Sequence, residues 1–263
     1  MSVDYAIDGD VALITLNRPD RYNAIEASLS TGLQQALQRA GRESRAVILT
    51  GAGRAFCSGA DLNTIMAAYE TDEGPDLAGL LEHVFHPAVD ALLECPVPVV
   101  AAINGVTAGA GLGLAFACDL RVMSQDAYLT SAFSAIGLAP DSGTTWWLSR
   151  NLGISRALRF ALTNQRLSAG ECLDLGVCLD VVPGEALLDR AMEVAGELAD
   201  LVPDALVSTR RLIREAAGLD LRQSLQREQE EQGRLGRTPE HREGVLAFTE
   251  KRKPDYRSAR DPG

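Results

Sequence analysis

One acidic side chain, Asp141, lies in the small-residue and apolar segment 137–150, and no other acidic residue occurs between Asp126 and Glu171. A carboxylate in apolar surroundings loses hydration, which raises its pKa toward neutral pH and suits it to proton transfer. Asp before a run of small residues is also typical of a helix N-cap. The segment alone leaves both interpretations open.

Two glycine-rich turns, 54–62 and 104–114, each follow a predicted strand and precede a predicted helix. Small residues before a helix leave backbone N–H groups uncovered, and the helix dipole adds positive potential there. Two such turns from adjacent strands can direct one N–H each at a single oxygen, which is how an oxyanion hole is made. Alternatively, the glycines serve only close packing between strand and helix.

Several other kinds of site do not match these turns. Gly113 is out of register for the third glycine of G-x-G-x-x-G, and no acidic residue lies at 128–131, where a ribose partner would fall. Neither turn carries the Gly-Lys-Ser/Thr ending of a P-loop, and no G-x-S-x-G nucleophile motif occurs. A dinucleotide site, a P-loop and a serine hydrolase are therefore disfavoured.

Apolar patterning predicts the elements that must position these groups. It predicts strands at 3–7, 11–16, 46–50, 97–103, 120–124 and 177–182, and helices at 26–40, 61–68, 109–118 and along the apolar stripe of 77–84. Ser168 and Glu171 form a predicted capping box, and Thr238-Pro239 is a predicted helix start. The acidic segment 70–76 is predicted to be an exposed loop. Alternating strands and helices favour an α/β fold with mostly parallel pairing, followed by a helical tail from about Glu185.

Composition narrows the class of protein. The chain has 263 residues, 46% of them hydrophobic, and a net charge of −11, which disfavours a nucleic-acid partner. No apolar run approaches the ~18 residues of a membrane span, and no signal pattern is present, so we expect a cytoplasmic protein without membrane contact. The five cysteines are odd in number and lack metal-ligand spacing, which predicts reduced thiols and no metal site.

The chain closely resembles the crotonase, or enoyl-CoA hydratase/isomerase, superfamily over nearly its whole length. The resemblance rests on the motifs Leu16-Asn-Arg-Pro19, Ala55-Phe-Cys-Ser-Gly-Ala-Asp61, Ala101-Ala-Ile-Asn-Gly105 and the segment 242–252. It implies a spiral of repeated ββα units in a core of residues 1–195 and a C-terminal helical region, 196–263, that assembles homotrimers or hexamers. It also implies no cofactor, because coenzyme A belongs to the acyl-CoA substrate.

By this resemblance, the amides of Ala60 and Ala110 bind the thioester oxygen. Asp141 matches the acid of isomerase-type members, and its context is most similar to ring-epoxide and Δ3,Δ2-enoyl-CoA isomerases of phenylacetate-type pathways. The implied mechanism is removal of a C2 proton by Asp141, formation of a dienolate, and return of the proton to C4.

Hydratases of the family usually carry two glutamates, and their positions fall on Gly113 and close to Phe133 here. The alternatives are a hydratase with a rearranged water site, an enzyme similar to aryl-CoA dehalogenases that uses His86 with Asp141, and a non-catalytic acyl-CoA-binding subunit. Besides Gly113, Phe133 and His86, the predicted substrate-binding residues are Arg21, Ala24, Asp61, Leu62, Gly109, Trp146, Phe248 and Lys251.

Overall fold

The structure, a computed structural model, describes residues 2–70 and 74–260. Its strands are β1 (Val3–Asp8), β2 (Val11–Leu16), β3 (Ala46–Gly51), β4 (Ala55–Cys57), β5 (Val99–Ile103), β6 (Val106–Ala108), β7 (Leu120–Ser124), β8 (Tyr128–Thr130), β9 (Arg166–Ser168) and β10 (Asp180–Val182). Its helices are α1 (Ala27–Glu43), α2 (Leu62–Ala68), α3 (Leu77–Leu80), α4 (His86–Leu93), α5 (Ala110–Ala117), α6 (Thr144–Leu152), α7 (Ile154–Thr163), α8 (Ala169–Asp174), α9 (Leu187–Ala199), α10 (Pro203–Ala216), α11 (Leu221–Leu235), α12 (Pro239–Glu250) and α13 (Tyr256–Arg260). A π-helical turn, Leu81–Phe85, joins α3 to α4.

The larger sheet has the strand order β1-β2-β3-β5-β7-β10. The β1–β2 pair is the predicted antiparallel hairpin, and every other neighbouring pair in this sheet is parallel. β3 and β5 are buried along their whole length, as expected for central strands covered on both faces. Val47, Leu49 and Ala101 face one apolar cluster with α1, α4 and α5, whereas Ile48 and Val100 face a second cluster with α9.

The glycine-rich turns contain short strands that the sequence pattern did not indicate. β4 and β6 belong to a second sheet of order β4-β6-β8-β9. A long strand, a short strand and a helix follow one another three times, as β3-β4-α2, β5-β6-α5 and β7-β8-α6. This is the repeated ββα arrangement that the family resemblance implies.

The observed ends of the strands and helices account for the remaining differences from the elements predicted from the sequence. β10 covers Asp180–Val182 and not the whole predicted span 177–182, because residues 177–179 belong to the turn that follows α8. Both halves of the predicted capping box, Ser168 and Glu171, are present, and Thr238 caps α12 as predicted. Residues 71–73 of the predicted acidic loop lie outside the described residues.

The C-terminal helices are held to the core by charged contacts. The carboxylate of Asp119 pairs with Arg210 at 3.0 Å and with Arg214 at 3.3 Å, and both arginines lie on α10. Farther along, Arg257 pairs with Asp10 beside the N-terminal hairpin. Residue 195 lies within α9, which packs on the larger sheet.

In the described part of the chain, no helix has both the length and the apolar character needed to cross a bilayer. All five cysteines are buried and free of disulfides. Burial raises the pKa of the Cys57 thiol to about 12, so this side chain next to the first glycine turn stays protonated at neutral pH and packs as an apolar group.

Candidate active site

Two backbone amides face one cavity at the carboxyl ends of paired strands. β4 and β6 pair in parallel, and the chain passes from them to Ala60 and Ala110 respectively. Within residues 2–70 and 74–260, neither of these N–H groups has a hydrogen-bond acceptor in the protein. Both residues line the same cavity of about 660 Å³. The two amides are therefore available to a ligand oxygen.

The orientation of the Ala60 amide is fixed by a short parallel bridge to Ile25. The Ile25 N–H donates to the Gly59 carbonyl at 2.7 Å, and the Asp61 N–H donates to the Ile25 carbonyl at 3.1 Å. The Ala60 N–H belongs to the same trans peptide group as the Gly59 carbonyl, so it points away from Ile25 and toward the cavity that Ala60 lines.

The Arg18 side chain ties the two strands of this bridge together. Its guanidinium donates to the Ala24 carbonyl at 2.6 Å and to the Asp61 carboxylate at 2.8 Å. Burial acts to raise the pKa of Asp61, but the hydrogen bonds from Arg18 and Asn63 outweigh it and hold that pKa below its usual value. Asp61 is thus a charged structural anchor, and it also caps α2 through the Asn63 N–H.

The second amide stands at the start of a buried helix. Gly109 has a φ of +54°, a left-handed conformation that favours glycine, and its own N–H is used by the Ser131 carbonyl at 3.2 Å. Ala110 is the first residue of α5, and every residue of this helix is buried. The helix N-terminus adds positive potential at the Ala110 N–H, which favours a developing oxyanion.

Asp141 lies on the wall of the same cavity. Burial raises its pKa, while a hydrogen bond from the Ser142 hydroxyl at 2.8 Å and the nearby His86 act in the opposite direction. The alternative interpretation as a helix cap is wrong, because the N-cap of α6 is Gly143 and no side chain caps this helix. The carboxylate therefore faces a ligand space and has a pKa moved toward neutral pH, as a proton-transfer group requires.

The two positions that correspond to hydratase glutamates hold no carboxylate. A side chain at Gly113 would collide with the backbone oxygen of Ser142 and come within 2.9 Å of its Cβ. Phe133 is buried and lines the cavity with its ring. One position is thus closed by the turn that carries Asp141, and the other is filled by an aromatic side chain.

The structure brings most of the predicted site together. The predicted residues that line the cavity are Arg21, Ala24, Ala60, Asp61, Leu62, Gly109, Ala110, Phe133 and Asp141. Sequence reasoning missed the apolar wall formed by Leu80, Leu81 and Phe85 beside the π-helical turn, and a second wall along 132–139. The predicted stripe of 77–84 was the signal for the first wall, but its spacing alone did not show what it faces.

Five predicted residues do not line the cavity: Gly113, which is packed against Ser142, and four residues that lie elsewhere. Trp146 is on the surface with the Arg150 guanidinium stacked 3.9 Å from its ring centre, whereas Trp147 packs against the core. His86 is exposed at the start of α4, outside the cavity lining. Phe248 on α12 is 86% exposed, and Lys251 follows at the end of that helix. In the single chain, these side chains do not line the cavity, although His86 is close enough to Asp141 to affect its pKa.

Comparison with known proteins agrees with this fold. The family model described as enoyl-CoA hydratase/isomerase matches residues 6–259. In structure, the chain is similar to an enoyl-CoA hydratase from Bacillus anthracis, with a TM-score of 0.90, 32% identity, and coverage of 97% of this chain and 99% of the other. The chain belongs to the enoyl-CoA hydratase/isomerase family and has the crotonase fold.

Two relatives in sequence carry different activities in their names. A probable enoyl-CoA hydratase of Rhodobacter capsulatus is 39% identical over 255 residues, covering 97% of each chain. The 1,2-epoxyphenylacetyl-CoA isomerase of Escherichia coli is 38% identical over 252 residues, covering 95% of this chain and 96% of its own. These near-equal identities establish an acyl-CoA enzyme family and leave the reaction to be argued from the site.

Proposed function

We propose that this protein is an acyl-CoA isomerase in which Asp141 moves a proton on an enolate held by Ala60 and Ala110. The single observation that carries the proposal is that one carboxylate with a raised pKa and two unused amides line the same cavity. The two amide N–H groups donate hydrogen bonds to the thioester oxygen, which makes the C2 proton more acidic. Asp141 removes that proton and delivers it to C4, so the double bond moves from C3–C4 to C2–C3 with no net change in atoms.

One carboxylate is sufficient for this reaction because proton removal and proton delivery take place on the same face of the dienolate. Water activation by a glutamate pair has no support here, since Gly113 is packed against Ser142 and Phe133 is apolar. The apolar wall formed by Leu80, Leu81 and Phe85 suits an apolar acyl group. A similar proton shuttle would serve a ring epoxide of an arylacyl-CoA.

A hydratase is the second candidate, favoured by the name of the Rhodobacter capsulatus relative. In such an enzyme Asp141 would activate water for addition to a 2-enoyl-CoA. An enzyme similar to aryl-CoA dehalogenases, with His86 as the water-activating base, has less support, because His86 is exposed and does not line the cavity.

The test is product identification with 2-enoyl-CoA, 3-enoyl-CoA and aryl-epoxide CoA esters. We expect turnover of the 3-enoyl or epoxide ester and no 3-hydroxyacyl-CoA from the 2-enoyl ester. Asp141→Asn should lower the isomerisation rate about 10²–10⁴-fold, while Asp126→Asn, an exposed matched control, keeps the wild-type rate. Wild-type turnover by Asp141→Asn would overturn the assignment, and binding of every ester without turnover would indicate a non-catalytic acyl-CoA-binding subunit.

We further propose a homotrimer or a hexamer formed by two trimers, in the cytoplasm. The support is apolar surface that a monomer leaves exposed, with Ile154, Leu158 and Leu162 at 71%, 53% and 70% exposure along one face of α7. In such an assembly, Phe248 and Lys251 would reach bound coenzyme A. Light scattering coupled to size-exclusion chromatography measures the mass of the oligomer. A monomer at micromolar concentration would contradict the proposal.

A further inference from the structure

The turn that carries Asp141 has an unusual backbone. Ser142 has a φ of +50° and Gly143 a φ of +76°, so two successive residues are left-handed. Glycine adopts this conformation readily, but a serine does so at an energetic cost. Such strain persists where surrounding contacts hold the residue in place.

Two contacts hold Ser142 in this conformation. Its hydroxyl donates to the Asp141 carboxylate at 2.8 Å, and within the described residues this is the only hydrogen bond of that hydroxyl. Its backbone packs so closely on α5 that no side chain fits at Gly113. Ser142 is 3% exposed, so water does not compete effectively for the hydroxyl.

We propose that Ser142 is a positioning residue, whose hydroxyl holds the Asp141 carboxylate toward the cavity while its backbone rests on Gly113. This inference depends on the proposed role of Asp141 as the proton carrier. A carboxylate on a turn can rotate about its side-chain bonds, and proton transfer needs it at a fixed distance from C2 and C4. The Ser142 hydroxyl occupies one carboxylate oxygen and leaves the other for the substrate.

The same contact affects the ionisation of the base, together with burial and the nearby His86. The hydroxyl hydrogen-bonds to the charged carboxylate, which opposes the effect of burial on the pKa of Asp141. Its loss should raise that pKa further, so a smaller fraction of the enzyme carries the base form at neutral pH. A merely structural serine would affect stability without moving the pH dependence of the reaction.

The experiment measures kcat and KM against pH for isomerisation of trans-3-hexenoyl-CoA by the full-length protein. The variants are Ser142→Ala, Ser142→Gly, Asp141→Asn and, as the matched control, Ser149→Ala, whose hydroxyl donates to the Trp146 carbonyl on α6. Ser142→Gly removes the hydroxyl without the strain of a left-handed side chain. It therefore reports on the hydroxyl even if Ser142→Ala fails to fold.

Both Ser142 variants are expected to lower kcat about 10-fold at neutral pH, to change KM by less than about threefold, and to move the acidic limb of the kcat profile to higher pH. Ser149→Ala should overlay the wild type. A Ser142→Gly profile that coincides with wild type, while Asp141→Asn is inactive, would overturn this inference and leave the proposed function standing. Wild-type activity of Asp141→Asn would overturn both this inference and the proposed function.

Discussion

Gly59 lies against the amide of Ala110, so that an ideal Cβ on Gly59 would stand 3.1 Å from the Ala110 nitrogen. This close approach brings the two glycine-rich turns together. The φ of Gly59 is +94°, a conformation that side chains rarely adopt. Glycine is therefore favoured at position 59 for two reasons: its backbone conformation disfavours a side chain, and there is little room for one beside the two amides.

Gly59→Ala should therefore damage the oxyanion site. The methyl group would crowd the Ala110 N–H and displace the ligand oxygen, and loss of one such donor lowers kcat by about 10²–10³-fold. The measurement is the steady-state rate of isomerisation, with binding of acyl-CoA followed separately by calorimetry.

Gly176→Ala is the matched control for this substitution. Gly176 has a φ of +70°, so it carries a similar backbone penalty, but among the described residues nothing lies within 4 Å of its ideal Cβ. Equal losses of activity in the two variants would show that backbone strain, and not crowding at Ala110, causes the effect.

Arg18→Met should loosen the loop that presents the Ala60 amide. The substitution removes the donors to the Ala24 carbonyl and to Asp61, and it leaves the buried Asp61 carboxylate without its cation. We expect kcat to fall about 10-fold because the Ala60 amide is no longer fixed. Arg39→Met, which breaks the exposed pair with Glu43, is the control and should keep the wild-type kcat. Equal kcat values for the two variants would contradict this role of Arg18.

The central strands and the Asp141 segment were accessible from the sequence for a physical reason. β3 and β5 are buried on both faces, so burial imposes a continuous apolar run that is visible in the chain. Asp141 could be singled out because it is the only acidic residue in the segment 137–150. The glycine turns were recognisable because close backbone approach excludes larger residues.

Other parts of the fold and of the site depend on tertiary contacts, which leave no pattern in the local sequence. β4, β6, β8 and β9 have three residues each, too few for a period-two alternation, and backbone pairing defines them. Adjacent residues on a helix point in different directions, but this rule does not show which of Trp146 and Trp147 faces the core. The function inferred for Ser142 depends on its left-handed backbone and on its contact with Gly113, neither of which the amino-acid types specify.

Gly113→Ala should destabilise the protein and weaken catalysis together. The added methyl group would press on the backbone of Ser142, and overpacking of this kind costs about 1–3 kcal/mol of unfolding free energy. The isomerisation rate should fall because the Asp141 turn moves. Urea unfolding and steady-state kinetics measure the two effects.

The control for that variant is Gly196→Ala on α9, where no described atom lies within 4 Å of the ideal Cβ. Removing a helical glycine there should leave stability unchanged or raise it by up to about 1 kcal/mol. Gly113→Glu adds the carboxylate of the hydratase pattern at the same crowded position, and we expect it to produce no hydration of a 2-enoyl-CoA. Hydration by this variant would show that the turn can move aside.

Asp141 should cost stability at the pH where it works. Burial raises its folded-state pKa, so the folded protein binds the proton more tightly than the unfolded chain. The contribution of this tighter proton binding to the free energy of unfolding is complete below the ordinary Asp pKa. It is lost as the pH rises through the raised pKa of Asp141 in the folded state. Asp141→Asn should consequently raise the melting temperature relative to wild type by more near pH 8 than near about pH 4. Asp126→Asn, at an exposed position, should show no such trend, and a difference for Asp141→Asn that shrinks with rising pH would mean that the folded state stabilises the charged carboxylate.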